Sequence, residues 1–177
     1  MASGYEIALA CLALNIWHEA GSEPIEGQKA VAYVTINRAN ALNKDLCETV
    51  FEDDQFSWTI GNKEAIYRDG QRIGYKVGPS KRVNQKSPQW LAVKALAVSV
   101  MSSWSKPHPY RDMFYFHATY VNPTWSKQKP YKMQIGQHKF YGEQEGIRYG
   151  KENAAPVLSV ALRPNQKPLQ ISFRRLE

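Results

Sequence analysis

Apolar residues recur at three- and four-residue spacing along the start of the chain. Leu9, Leu12 and Ile16 fall on one face, which predicts a helix over residues 5–18. Gly21 and Ser22 end it. Ser22 or Glu23 then precedes Pro24, a proline suited to a first helical turn, and Glu26 adds negative charge where a helix start favours it. A second helix is predicted over IEGQKAVAYVTINRAN, residues 25–40, with Ile25, Val31, Val34 and Arg38 marking its faces. Residues 46–58 read as a connection with short strands around Val50 and Phe51 and again at 56–58. In the polar stretch 59–86, Asp69-Gly70 predicts a hairpin turn between IYR and RIGYKV. Ser87-Pro88 opens the strongest helical pattern, QWLAVKALAVSVMSSW, striped by Trp90 or Leu91, Lys94 or Ala95, Val98 and Met101. After Pro107 and Pro109, MFYFHATYV alternates as a strand, and residues 133–142 form another. The tail offers VLSVALR, a turn at 164–168, and LQISFRR as a closing hairpin. The pattern predicts an α+β fold, helices first, with small antiparallel strands and a C-terminal hairpin.

Composition adds that the chain is globular. Its 177 residues suit one domain with a real core, and 43% are hydrophobic, with five Trp and ten Tyr. The net charge of +7 is unevenly spread: residues 1–58 hold 3 basic and 9 acidic side chains, residues 59–177 hold 20 and 7. The stretch 59–86 alone has 7 basic and 2 acidic residues. Such a body favours an anionic partner: nucleic acid, a membrane surface or an acidic wall polymer. Cys11 and Cys47 could form at most one bridge, and Cys11 in its apolar run reads as a small buried thiol. The opening MASGYEIALACLALNIWHEA lacks a positive start and carries Glu6, so it reads neither as a signal peptide nor as a membrane span.

Candidate chemistry centres on Glu19. It follows Ile16 and Leu12 on the core-facing stripe, at the last turn of the first helix. There, desolvation and the negative end of the helix dipole both oppose its charge, which raises the pKa of an inward carboxyl. A carboxylic acid still protonated near neutral pH can donate to a leaving oxygen, as the general acids of glycosidases do. The alternative is an outward Glu19 that caps a neighbouring loop. His18 points about 100° away from it, so the two do not chelate one metal. A zinc site from three histidines, His117 and His138 among them, is conceivable, yet no HExxH spacing is present. Neither Gly-x-Ser-x-Gly nor a phosphate loop occurs. Aromatic residues interleaved with Lys127, Lys129 and Lys132 offer faces on which sugars or nucleobases stack.

Four blocks in order resemble the SleB-like cell wall hydrolases, which include spore-cortex-lytic enzymes and phage lysins. They are LALNIWHEAGSEPIEGQKAVAYVTINR (12–38), CETVFEDDQFSW (47–58), YFHATYVNPTW (115–125) and QIGQHKFY (134–141). The resemblance implies a fold similar to the lysozyme and lytic transglycosylase core, with Glu19 as catalytic acid. It implies peptidoglycan as substrate, cut between N-acetylmuramic acid and N-acetylglucosamine without a cofactor or a metal. It also implies that Gln55, Ser57 and Trp58 line the sugar groove, and that His117, Tyr120, Asn122, Trp125 and His138 hydrogen-bond or stack on the glycan. Glu23, Glu26, Asp53 and Asp54 are candidates for a second carboxylate, but none lies where the family places a nucleophile. A single-acid lytic transglycosylase is therefore expected, with hydrolysis of the muramidase type as the near alternative.

Three departures qualify the resemblance: Gly21-Ser22 stands where the family has Arg-Gly, and the basic insert 59–86 and the tail 143–177 lie outside the blocks. The expected organisation is a catalytic domain over 1–142, insert included, with 143–177 packed on it. A monomeric phage endolysin is expected, made in the host cytoplasm without a signal peptide and acting on the wall after release. Its basic surface would hold the anionic wall, with no nucleic-acid partner and no membrane insertion. The rivals are a non-catalytic wall-binding module and a zinc amidase.

Overall fold

The computed structural model describes residues 4–143 and 170–172. Helix α1 (Gly4–Ala20) leads into α2 (Ile25–Leu42) and the short α3 (Leu46–Phe51). The hairpin β1 (Lys63–Arg68) and β2 (Gln71–Val77) follows, then α4 (Pro88–Ser103). The strands β3 (Tyr115–Ala118), β4 (Tyr131–Ile135) and β5 (His138–Tyr141) come next, and β6 (Gln170–Ser172) is last. This is the mixed α+β architecture that the pattern predicts.

Helix α1 is the centre of the molecule. Ile7, Ala8, Leu9, Cys11, Leu12, Ala13, Leu14, Asn15 and Ile16 are all buried, so the helix is enclosed on every side and not on one stripe alone. Helices α2, α3 and α4 each pack against it. Burying a side chain such as Leu12 or Ile16 contributes about 2 kcal/mol. The enclosure runs out at Trp17, His18 and Glu19, which are half-buried. The last turn of α1 is thus held by its buried start and middle.

Several boundaries differ from the sequence reading for identifiable reasons. The strand expected at Val50 and Phe51 is helix α3, begun by a reciprocal cap: Asp45 Oδ1 accepts Glu48 N–H at 2.7 Å and Glu48 Oε2 accepts Asp45 N–H at 3.3 Å. Residues Ser57–Thr59 form a 3-10 turn where a strand was expected. On α4 the buried stripe is Trp90, Val93, Ala97, Val100 and Met101, while Leu91 and Val98 face solvent. Cys11 is not a free thiol but is bridged to Cys47, which ties α1 to α3. The single strand expected over 133–142 is the hairpin β4–β5, turning at Gly136 with φ 55°.

Two sheets flank the helices, in strand orders β1-β2-β6 and β3-β5-β4. The Asp69-Gly70 turn joins β1 to β2 as expected, both residues taking positive φ (52° and 74°). Buried Tyr75 stacks on Phe51 at 4.6 Å, so the insert is docked on the core through β2. Strand β6 pairs in parallel with β2, Gly74 opposite Gln170. The VLSVALR strand and the 164–168 turn of the expected C-terminal hairpin lie outside the described residues. Phe116 and Phe140, packed 5.8 Å apart, turn the second sheet's inner face toward the core. No helix among the described residues is long and apolar enough to cross a membrane.

The bridge closes a 36-residue separation between two buried positions. Its reduction is expected to lower the unfolding free energy by about 4 kcal/mol. Urea titrations with and without reductant measure this as a fall in midpoint, with the far-UV circular dichroism unchanged before the transition.

Candidate active site

A buried chain of hydrogen bonds fixes the end of α1. Trp58 Nε1 donates to Asn15 Oδ1 at 2.9 Å, Asn15 Nδ2 donates to Thr35 Oγ1 at 3.0 Å, and Thr35 donates to Val31 O at 2.8 Å. One asparagine inside an apolar helix therefore couples α1, α2 and the 3-10 turn. The Trp58 indole stacks on His18, ring centroids 4.4 Å apart, and meets Phe51 edge-on at 5.6 Å. On the other side His18 Nε2 donates to Lys81 O at 2.9 Å, drawing the 3-10 turn Pro79–Lys81 against the helix end. Burial lowers the pKa of His18, and the charge of Lys81 acts the same way against the hydrogen bond to its carbonyl.

Glu19 sits beside this clamp, half-buried. Among the described residues no hydrogen bond reaches its carboxylate, and no Lys or Arg pairs with it directly. Desolvation raises its pKa from an ordinary 4.5 to about 7, and the nearby positive charge of Lys81 offsets only part of the rise. Glu19 therefore carries its proton for much of the time at neutral pH. The outward, loop-capping alternative does not describe this side chain.

The bend after α1 brings in the second sheet. Glu23 N–H returns to Ala20 O at 2.9 Å, and the Glu23 side chain reaches across to accept Gln137 N–H at 2.8 Å in the β4–β5 turn. His138 opens β5 with its Nδ1 3.9 Å from Glu23 Oε1. Burial lowers its pKa, the charge of Glu23 opposes that shift, and His117 adds to it. His117 stands opposite Lys139 in the β3–β5 ladder whereas His138 stands opposite Ala118, so strand alternation sends the two rings to opposite faces. His117 has both nitrogens engaged, Nδ1 donating to Ala118 O at 2.8 Å and Nε2 accepting from Tyr141 O–H at 2.9 Å. Trp125 meets the His117 and Tyr141 rings edge-on at 5.6 and 5.4 Å.

The remaining site residues from the sequence are scattered in exposure. Tyr120 is 86% exposed and Asn122 is exposed, both on the loop after β3. Ser57 is exposed, and half-buried Gln55 reaches back to Asp53 O at 3.5 Å. Trp58 is only 4% exposed, so it braces the helix end from below and has almost no free face for a sugar. Sequence reasoning missed Asn15, Thr35 and Lys81. Asn15 carried a signal, a lone amide in an apolar helix, which must find buried partners.

Two of the other candidate carboxylates, Glu26 and Asp53, have their own attachments. Glu26 pairs with Lys29 at 2.7 Å and accepts from Tyr110 O–H at 2.5 Å; Asp53 is exposed and pairs with Lys63 at 2.7 Å. Asp54 lies on an exposed turn with φ 59°. Within the basic insert, Lys63, Arg72 and Lys76 are paired with Asp53, Glu48 and Glu64. Among the described residues the insert's other four cations, Arg68, Lys81, Arg82 and Lys86, have no ion pair, and the last three lie on the segment that runs past His18 toward α4. Among the described residues no three His, Cys, Asp or Glu side chains are grouped closely enough to hold a metal ion.

A family model described as Cell Wall Hydrolase matches residues 22–141. The matched span takes in Glu23 and the whole second sheet and begins just after Glu19. No curated protein and no solved structure matches the chain.

The raised pKa of Glu19 has a thermodynamic consequence. The unfolded chain ionises this group near 4.5 and the folded one near 7, so folding is most favourable below 4.5 and loses stability as pH rises through 7. Glu19→Gln is expected to be more stable than the wild type at pH 8 by about 3 kcal/mol, and equal to it near pH 4. Chemical denaturation across that range measures the difference.

Proposed function

The chain belongs to the cell wall hydrolase family, enzymes that act on peptidoglycan, and on that footing we propose that it cuts the glycan strand with Glu19 as its single catalytic acid. The observation that carries the proposal is a carboxyl at a helix end, half-buried, without a hydrogen-bond partner among the described residues and with its pKa raised to about 7. In this reading the protonated Glu19 donates to the oxygen bridging N-acetylmuramic acid and N-acetylglucosamine as the bond to the muramyl C1 breaks. The resulting carboxylate then takes the proton from the muramyl 6-hydroxyl, whose oxygen closes on C1 to form a 1,6-anhydro ring. One group acts as acid and then as base, so no second carboxylate and no water are consumed.

The attachments of three of the four other candidate carboxylates support a single-acid mechanism, and the fourth, Asp54, lies on an exposed turn. Glu23 is engaged by the β4–β5 turn, Glu26 by Lys29 and Tyr110, and Asp53 by Lys63. A retaining muramidase would need one of them free at roughly 5 Å from the acid. The lysozyme-like arrangement belongs to the same proposal: a buried helix ends in an acid beside a sheet that carries polar and aromatic side chains. So does the phage lysis role, which rests on the resemblance to phage lysins. In this reading exposed Tyr120, Asn122 and Ser57 contact the glycan, while His117 and Trp58 act from beneath.

Purified sacculi digested with wild type and with Glu19→Gln test the proposal. Wild type is expected to release muropeptides lighter by one water than hydrolytic products, and the variant to lose about a thousandfold in rate. Products of full mass would keep the acid and replace anhydro-ring closure by hydrolysis. No glycan cleavage by either protein would leave a binding module. The rate is also expected to fall as pH rises above about 7, where Glu19 loses its proton.

Wall attachment through Lys81, Arg82 and Lys86 is expected to weaken steeply as salt rises. Co-sedimentation of the Glu19→Gln protein with sacculi across a salt series measures it, and salt-independent binding would contradict the electrostatic reading.

A further inference from the structure

Glu23 holds the β4–β5 turn against the start of α2 and faces a histidine that makes no hydrogen bond among the described residues. Its side chain is only 9% exposed, and its Oε2 accepts Gln137 N–H at 2.8 Å. The fit is close: a Cβ at Gly136, whose φ is 55°, would stand 1.9 Å from that oxygen and would displace the Glu23 carboxylate from the turn. The other oxygen, Oε1, faces His138 Nδ1 at 3.9 Å. Among the described residues Nδ1 is the one buried side-chain nitrogen or oxygen that lacks a hydrogen-bond partner. The His138 ring is 9% exposed and meets Phe116 edge-on at 5.2 Å.

These contacts decide where the ring carries its proton. Burial holds His138 neutral at pH 7, so it has one N–H and one lone pair. A carboxylate can only accept, and a lone pair turned toward Oε1 would be repelled. The proton therefore belongs on Nδ1, and a small closing motion makes it a hydrogen bond to Glu23. Nε2 is then an acceptor. It is not among the buried unpartnered atoms and makes no hydrogen bond among the described residues, so it meets solvent. The bend closed by Glu23 N–H on Ala20 O keeps Glu23, and through it the facing His138, at the end of the helix that carries Glu19.

We propose that Glu23 is a positioning residue that fixes His138 as its Nδ1–H tautomer and so presents Nε2 as an acceptor for a hydroxyl or acetamido N–H of the glycan bound beside Glu19. This rests on the glycan-cleaving function proposed above. Glu23 is thereby a support for substrate binding and not the second catalytic carboxylate.

Glu23→Gln separates this role from a purely structural one. The amide can still accept Gln137 N–H through its oxygen, so the turn is retained. Its nitrogen then points at Nδ1 as a donor, which forces the His138 proton onto Nε2. Nitrogen-15 NMR of the imidazole is expected to show Nδ1–H in the wild type and Nε2–H in Glu23→Gln. Against sacculi the variant is expected to lose about tenfold to a hundredfold in kcat/KM, in line with other losses of an orienting hydrogen bond to a histidine, and His138→Ala at least as much. A structural role predicts that the isosteric amide restores wild-type turnover, and that result would overturn the proposal. So would an Nε2–H tautomer in the wild type, a measurement that needs no substrate and that decides the matter if the variant fails to fold. If the wild type itself does not cleave glycan, the proposed function falls and this inference with it. If the wild type cleaves and Glu23→Gln cleaves equally well, only the positioning role falls.

Discussion

The hydrogen bond from the Trp58 indole to Asn15 is the contact on which the rest of the site depends. It satisfies a buried amide that would otherwise cost about 1–3 kcal/mol in a helix enclosed on every side. Through Thr35 the same amide reaches α2, and through the Trp58 ring it reaches His18 and the Lys81 turn. Three separate stretches of chain thus converge on the C-terminal part of α1. A side chain there inherits its position from the core and not from a mobile loop, which is the condition for aligning a proton donor with a scissile bond.

Glu19 occupies that position under opposed forces. Removal from water penalises its charged form, and Lys81 returns part of the lost stabilisation from a segment that enters far along the chain. The outcome is a carboxyl near its midpoint at neutral pH, where one group can donate a proton and later accept one. A full salt bridge to Lys81 would leave the group ionised and unable to start. Complete burial without Lys81 would leave it protonated and unable to finish. The stability sacrificed at this residue is supplied by the enclosed start and middle of α1 and by its bridge to α3.

Local chemistry was legible in the sequence, and long-range pairing was not. Glu19 could be found because helical spacing and an inward carboxylate occur within one element. The Asp69-Gly70 turn and the Ser87-Pro88 helix start were legible for the same reason. Helix α3 was misread because Val50 and Phe51 favour strands, while the reciprocal Asp45–Glu48 cap that overrides them depends on side-chain geometry. The Cys11–Cys47 bridge could not be read from two cysteines, since either thiol packs as well alone. The contact of Glu23 with the β4–β5 turn joins residues 114 positions apart, and nothing in either segment names the other.

The central claim is that the fold keeps a proton on Glu19 in the neutral range. Carbon-13 NMR titration of the Glu19 side-chain carboxyl tests it directly, with Glu19→Gln identifying the resonance. The account predicts a midpoint near 7, well above the ordinary 4.5. A midpoint at or below 4.5 would mean that the carboxylate is solvated or paired, and would contradict its proposed role as the acid.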